Sequence, residues 1–233
     1  MSKHDDLGDR MKSFENSCGS NLLPRMPVMV RVDGRSFSKF TKGFNKPFDT
    51  QMIKAMQYAT TELAKEIQGF KIAYTQSDEA SFVFTDYDDF NMQGWFGYKM
   101  SKIISTSAAI MSVRFNEYMQ KYTTVDKLGT FDSRAFNVPR HEVANALLWR
   151  AKDWHRNSLS MYSRSMFSHK ELIHKNSSDI HAMLESNGKD WDLDLADVEK
   201  YGTFIVKGDT GLFTRTDIRP NYSSIMEMVG DWL

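Results

Sequence analysis

The chain has 233 residues, 41% hydrophobic and 26% charged, and its 30 basic and 30 acidic side chains cancel to a formal net charge of zero. That balance weakens any case for bulk polyelectrolyte attraction to nucleic acid, although a local basic groove stays compatible with it. The length suffices to bury a core without staples. The single cysteine, Cys18, excludes an internal disulfide framework and suits a reducing compartment.

No apolar run approaches the ~20 residues that span a bilayer, so no membrane partner is expected. The opening Met1-Ser2-Lys3-His4-Asp5-Asp6 is charged and has no apolar stretch of the kind a secretory signal needs. A cytoplasmic protein is expected.

In chain order, residues 27–32 read as a buried strand. After a loop around Lys46-Pro47-Phe48, residues 49–67 place Met52, Ile53, Met56, Ala59, Leu63, Ala64 and Ile67 at helical spacing, and Gly69 suits the exit. Residues 71–76 and 80–85 read as a hairpin with apolar residues at alternate positions. Residues 92–120 read as a long buried helix, and Thr130–Val138 as a strand ended by Pro139. A second long helix follows over 140–166, then a short one at Ser178–Glu185 and a late strand at Thr203–Val206.

The order β-α-β-β-α-β is that of a ferredoxin-like α+β unit, an antiparallel sheet with two helices on one face. Its other face would be left for a ligand or for the C-terminal helices. We divide the chain into a palm-like core, 1–139, and a helical extension, 140–233, packed on it as one compact unit.

Two acidic segments stand beside predicted strands. Arg31-Val32-Asp33-Gly34-Arg35-Ser36-Phe37 follows the run Val28-Met29-Val30, and Gln76-Ser77-Asp78-Glu79 lies at the hairpin turn. Singly, an Asp-Gly pair is more often a turn and an Asp-Glu pair more often a solvated tip. In the predicted topology, however, the end of the first strand and the hairpin turn are neighbours, so Asp33 and Asp78 meet. Carboxylates from two strands make a hard-cation site for Mg²⁺ completed by phosphate oxygens. Two such ions about 3.5–4 Å apart activate an attacking hydroxyl and stabilise a leaving oxygen.

Triphosphate charge calls for flanking cations as well. Arg31, Arg35 and Lys46 are the candidates near the first motif. Lys99 and Lys102, three apart on one face of a predicted helix, are further candidates, with a solvated surface as the competing reading. His169 and His174 lack partners at zinc-ligand spacing, and no P-loop pattern occurs. Trp149 and Trp154 read as core or subunit-contact residues.

Taken in order, Arg31 to Phe37, Lys46-Pro47-Phe48-Asp49, Gln76 to Phe84, Trp95-Phe96, Ser101-Lys102 and Phe131-Asp132-Ser133-Arg134 resemble the tRNA(His) guanylyltransferase family. The similarity is closer to its guanylyltransferase-like members in bacteria, archaea and phages. The resemblance implies a polymerase-type palm that adds nucleotides to the 5′ end of tRNA in the 3′-to-5′ direction. ATP first activates a 5′-monophosphate. The 3′-hydroxyl of an incoming nucleotide, usually GTP, then attacks and releases AMP.

It further implies that Asp33 and Asp78 bridge two Mg²⁺ ions with help from the Gly34 carbonyl. Asp33, Gly34, Arg35, Ser36, Phe37, Ser38 and Ser77 would lie against triphosphate and base, with Glu79 supporting the catalytic carboxylates. Family members are commonly tetrameric, and the Met- and Trp-rich C-terminal helices would suit subunit contacts.

Eukaryotic members carry His-Ile-Asn-Asn-Leu-Tyr-Asn, where this chain has His155-Arg156-Asn157-Ser158-Leu159-Ser160-Met161. Asn157 is retained as a nucleotide contact, and the departure favours template-dependent repair over strict addition to tRNA(His). Asp153, His155, Arg156 and Asn157 would form one polar cluster. A palm-type cyclase acting on GTP alone and a non-catalytic RNA-binding module are the alternatives.

Overall fold

The computed structural model describes residues 6–17 and 19–232. Cys18 and the first five residues, read above for compartment and signal, lie outside the described residues. In chain order the elements are α1 Asp6–Ser17, β1 Val28–Gly34, α2 Phe37–Phe40, α3 Thr50–Glu66, β2 Phe70–Gln76, β3 Glu79–Phe84, α4 Met100–Tyr122 and β4 Phe131–Asn137. There follow α5 Val143–Arg164, α6 His169–Leu172, α7 Ser177–Ser186, α8 Trp191–Asp194, α9 Asp197–Tyr201, β5 Thr203–Gly208, β6 Gly211–Arg215 and α10 Tyr222–Val229.

The six strands form one sheet in the order β4-β1-β3-β2-β5-β6, with every neighbouring pair antiparallel. Its first four strands have the ferredoxin-like order expected from the sequence. Alternation along each strand sends successive side chains to opposite faces. Val28, Val30 and Val32 of β1 and Ala80, Phe82 and Phe84 of β3 face α3 and α4, where Met56, Leu63, Met111 and Phe115 close the larger core.

The intervening residues face the other way. Met29, Ile72, Tyr74, Val83 and Phe204 pack against Val143, Leu147 and Ala151 of α5 and against Ile225 and Val229 of α10. The second face is therefore covered by the C-terminal helices over its central strands. Met226, Met228 and Trp232 pack into this layer, whereas Trp149 of α5 stays 54% exposed.

Two boundaries depart from the sequence reading. The helix expected over 92–120 starts only at Met100, because Phe96, Gly97 and Tyr98 take positive φ in a 3₁₀ turn and break it. After residue 139, besides the late strand expected at Thr203–Val206 and found as β5, an unforeseen β6 follows, and β5 and β6 continue the sheet as a hairpin. The second of these strands was missed because it is an exposed edge with no buried residue, and it lacks the apolar alternation that signals a strand.

Candidate active site

Pairing between β1 and β3 carries Asp33 to a position directly across from Glu79, and pairing with β4 sets Asp132 on its other side. The Gly34 N–H donates to the Asp78 carbonyl at 2.9 Å. Asp33 and Asp78 thus come together at the end of the sheet. The turn between β2 and β3 is only Ser77-Asp78, and Ser77 takes φ 49 to make it. The Ser77 hydroxyl donates to Asp78 Oδ1 at 3.0 Å.

Glycine is required at 34 by a close approach. A Cβ there would stand 2.3 Å from the Phe37 ring. Phe37 is buried, with ring centroids 4.9 Å from Phe40, 5.5 Å from Phe115 and 5.0 Å from Phe131. This aromatic cluster pulls the chain inward right after Asp33. Ser36, at φ 56, makes the turn, and Ser36 and Ser38 remain exposed.

The charges are unequally partnered. Glu79 is 7% exposed, and both its oxygens are held by Arg150 of α5, itself 8% exposed. Nε donates to Oε1 and Nη2 to Oε2, each at 2.6 Å. Asp132 pairs with Arg134 at 3.4 Å. Among the described residues no donor reaches the Asp33 carboxylate. Burial is the main cause that holds the Asp78 carboxyl above its ordinary range. The Ser77 hydroxyl and its own amide oppose that rise, and the negative charges of Asp33 and Glu79 add to it. Among the described residues, no three His, Cys, Asp or Glu side chains form a metal-binding group. Glu79, expected to support the catalytic carboxylates, is held on both oxygens by Arg150.

Helix α5 closes the site from the second face of the sheet. Arg150, Trp154, Asn157, Met161 and Arg164 recur at steps of four and three, which puts them on one stripe. They line a cavity of about 300 Å³ together with Asp33, Ser77, Asp78 and Glu79. An adjoining cavity of about 220 Å³ shares Ser77, Asp78 and Trp154, and its further wall includes Phe37, Ser38, Phe44, Lys46 and Met52. Asp49 caps α3 by accepting from the amides of Gln51 and Met52 at 2.9 and 3.1 Å, which anchors the loop that carries Lys46.

Arg150, Trp154 and Arg164 were not foreseen as site residues. Arg150 had a signal, being a charged residue on the apolar stripe of a predicted helix. Trp154 is 4% exposed and belongs to the core, whereas Trp149 is 54% exposed, so of the two readings given for the pair only the core one is excluded for Trp149.

The other candidates scatter. Arg31 lies on the face of β1 that carries Asp33, with its guanidinium 5.7 Å from the Trp149 ring. Arg35 is exposed just past the strand, its amide bonded to the Thr130 carbonyl at 2.8 Å. Lys99 and Lys102 do not join the site. Lys99 is not helical at all but the extended residue before α4, bridged to Asn21 at the opposite end of the sheet. The polar cluster of α5 also divides: Asn157 lines the carboxylate cavity, whereas the His155 ring packs 4.7 Å from Trp191.

Residues 8–139 match the family model described as "Thg1: tRNAHis guanylyltransferase". The chain belongs to the tRNA(His) guanylyltransferase family. Two solved bacterial guanylyltransferase-like proteins of this family superpose over almost the whole chain. One, in complex with ATP, shares 37% identity at a TM-score of 0.87 and covers 98% of this chain and 97% of its own. The other, in complex with GTP, shares 33% identity at a TM-score of 0.80, with 98% and 100% covered. The tRNA(His) guanylyltransferase of Debaryomyces hansenii is 32% identical over 157 residues, 64% of this chain and 57% of that protein. The chain thus spans under two thirds of that curated relative's length. As a member of this family it is an enzyme of the nucleotidyl-transfer type.

Proposed function

We propose that this protein adds nucleotides, GTP by preference, to the 5′ end of tRNA in the 3′-to-5′ direction, in template-dependent repair of truncated ends. The observation that carries the reading is Asp33 and Asp78, side by side where two strands end and without a cation, while the flanking Glu79 and Asp132 each have an arginine. The donor set fits Mg²⁺. It consists of hard oxygens only, two carboxylates with the Gly34 carbonyl beside them, and Mg²⁺ is usually bound through one or two carboxylates plus substrate phosphates. When bound, a pair of such ions lowers the pKa of the attacking hydroxyl and stabilises the leaving oxygen.

The chain's own residues supply the rest. Ser77, Lys46, Asn157 and Arg164 surround the cavities with donors for phosphate oxygens. Phe37, Phe44 and Met52 give the smaller cavity an apolar wall suited to a base. In the first step the tRNA 5′-phosphate attacks the α-phosphorus of ATP and pyrophosphate leaves. In the second, the 3′-hydroxyl of GTP attacks the activated 5′-phosphorus and AMP leaves. The ATP and GTP complexes of the bacterial relatives support both nucleotide assignments.

The segment His155 to Met161, which departs from the eukaryotic signature, supports repair over strict addition to tRNA(His). A cytoplasmic homotetramer belongs to the same reading. Leu7, Met11 and Phe14 form an exposed apolar stripe on α1 that suits such contacts.

The test is incorporation of labelled GTP onto a 5′-truncated, 5′-monophosphorylated tRNA with ATP and Mg²⁺. Extension by the native protein and its loss in Asp33→Ala and Asp78→Ala is the expected result. Extension that survives both substitutions would remove the carboxylate pair from the mechanism.

A further inference from the structure

Three carboxylates crowd the end of β1 and the start of β3, and among the described residues only one of them, Glu79, has a cation partner. Glu79 is adjacent in sequence to Asp78 and directly across the ladder from Asp33, so its backbone stands beside both. Unneutralised, it would be a third hard oxygen donor. We propose that Arg150 is a positioning residue that keeps Glu79 out of the metal shell and thereby leaves a two-carboxylate site. The proposal rests on the reading of Asp33 and Asp78 as the cation ligands.

The geometry of the pair supports this role. Two parallel bonds of 2.6 Å engage both lone-pair-bearing oxygens of Glu79, a fork-on-fork match that fixes the carboxylate plane as well as its position. The arginine is itself fixed from two further sides. Its Nη2 donates to Asp153 Oδ2 at 3.2 Å, and its guanidinium lies 4.6 Å from the ring centre of Trp149. Its backbone belongs to the middle of α5, whose Leu147 and Ala151 are packed into the sheet on either side. Glu79 therefore cannot swing toward Asp33 and Asp78 without breaking a buried, fully paired contact.

A two-carboxylate shell leaves more of each cation's coordination for triphosphate oxygens and water. A third carboxylate would hold the ion more tightly and compete with the substrate. A buried ion pair of this kind is a weak source of stability, because desolvation offsets most of its attraction. Its retention beside the site is better explained by the arrangement it enforces.

The experiment uses Mn²⁺ alone as the probe, with affinity and coordinated water read from electron paramagnetic resonance and water-proton relaxation. Arg150→Met releases Glu79. Mn²⁺ is expected to bind about tenfold more tightly, a shift of the size that partners of metal ligands produce, and with fewer coordinated waters. The paired variant Glu79→Gln with Arg150→Met removes both charges, and its Mn²⁺ affinity and hydration are expected within about threefold of the native protein, since neutral replacement of a buried pair is often tolerated.

A native-like water count in Arg150→Met would overturn the proposal. So would a loss of tenfold or more in the paired variant, which would make Glu79 a ligand. If Arg150→Met does not fold, the paired variant decides alone. Asp33→Asn tests the reading beneath: it should abolish Mn²⁺ binding whatever Arg150 does, and binding retained there would remove both the reading and the proposal built on it.

Discussion

At the scale of single residues the site works against its own stability. Burial and the neighbouring charges of Asp33 and Glu79 raise the Asp78 carboxyl above its ordinary value of 3.8. The ionised form is thus less favourable in the folded chain than in the unfolded one. Its destabilising contribution is full above the folded-state pKa and fades as pH falls through that value toward 3.8. Asp78→Asn should therefore raise the thermal midpoint at pH 7 while lowering nucleotidyl transfer by at least about 10²-fold, a drop comparable to removing a key electrostatic group. Mg²⁺ should raise the midpoint of the native protein and not of the variant, by linkage. A calorimetric scan at pH 7 with and without the ion checks both, and a lowered midpoint in Asp78→Asn would mean the carboxylate is not strained. Gly34→Ala makes the complementary case. Its added methyl meets the Phe37 ring, so a loss of about 1–3 kcal/mol in urea unfolding is expected, the usual cost of overpacking.

At the scale of elements, α5 does two jobs with two stripes. Leu147 is fully buried against the sheet, and Leu147→Ala should cost about 2–5 kcal/mol of stability, as buried leucines do. Asn157 is exposed at the cavity, so Asn157→Ala should leave unfolding unchanged and raise the KM for nucleotide. Unfolding curves and steady-state kinetics on the two variants would separate the stripes, and a destabilised Asn157→Ala would refute the division. The same helix marks how far the sequence could be read. Strand alternation and the hairpin placed Asp33 beside Asp78, because both depend on local pattern and a topology with few alternatives. The ion pair of Arg150 with Glu79 spans 71 positions and depends on how α5 lies across the sheet, which no local pattern encodes. The turn at Phe96 to Tyr98 was hidden for a different reason: two of its three positive-φ residues are aromatic, where glycine would have given the signal.

Across the whole molecule, position along the sheet separates the tasks of the basic residues. Asp33 lies at one end of β1, and Val28 at the other is paired with Asn137. Asn137 in turn accepts from the Leu23 amide, Leu22 donates to the Tyr98 carbonyl, and Lys99 is bridged to Asn21. Lys99 is thus five strand steps from Asp33 along the sheet, about 17 Å at 3.3 Å per residue, and Lys102 lies in the first turn of α4 just after it. At that range they are beyond the Debye length of about 8 Å and contribute little to binding a triphosphate at Asp33. A tRNA, the proposed substrate, is long enough to touch both ends of the sheet, and with zero net charge a chain binding it would do so through a few placed cations. The double variant Lys99→Ala, Lys102→Ala should therefore keep the KM for GTP. It should weaken tRNA binding, with the slope of log affinity against log salt shallower by about one to two, one for each phosphate no longer neutralised. Filter binding across a salt series, beside GTP titrations at saturating tRNA, measures the two quantities independently. A raised KM with an unchanged salt slope would return these lysines to the nucleotide and place the RNA elsewhere on the surface.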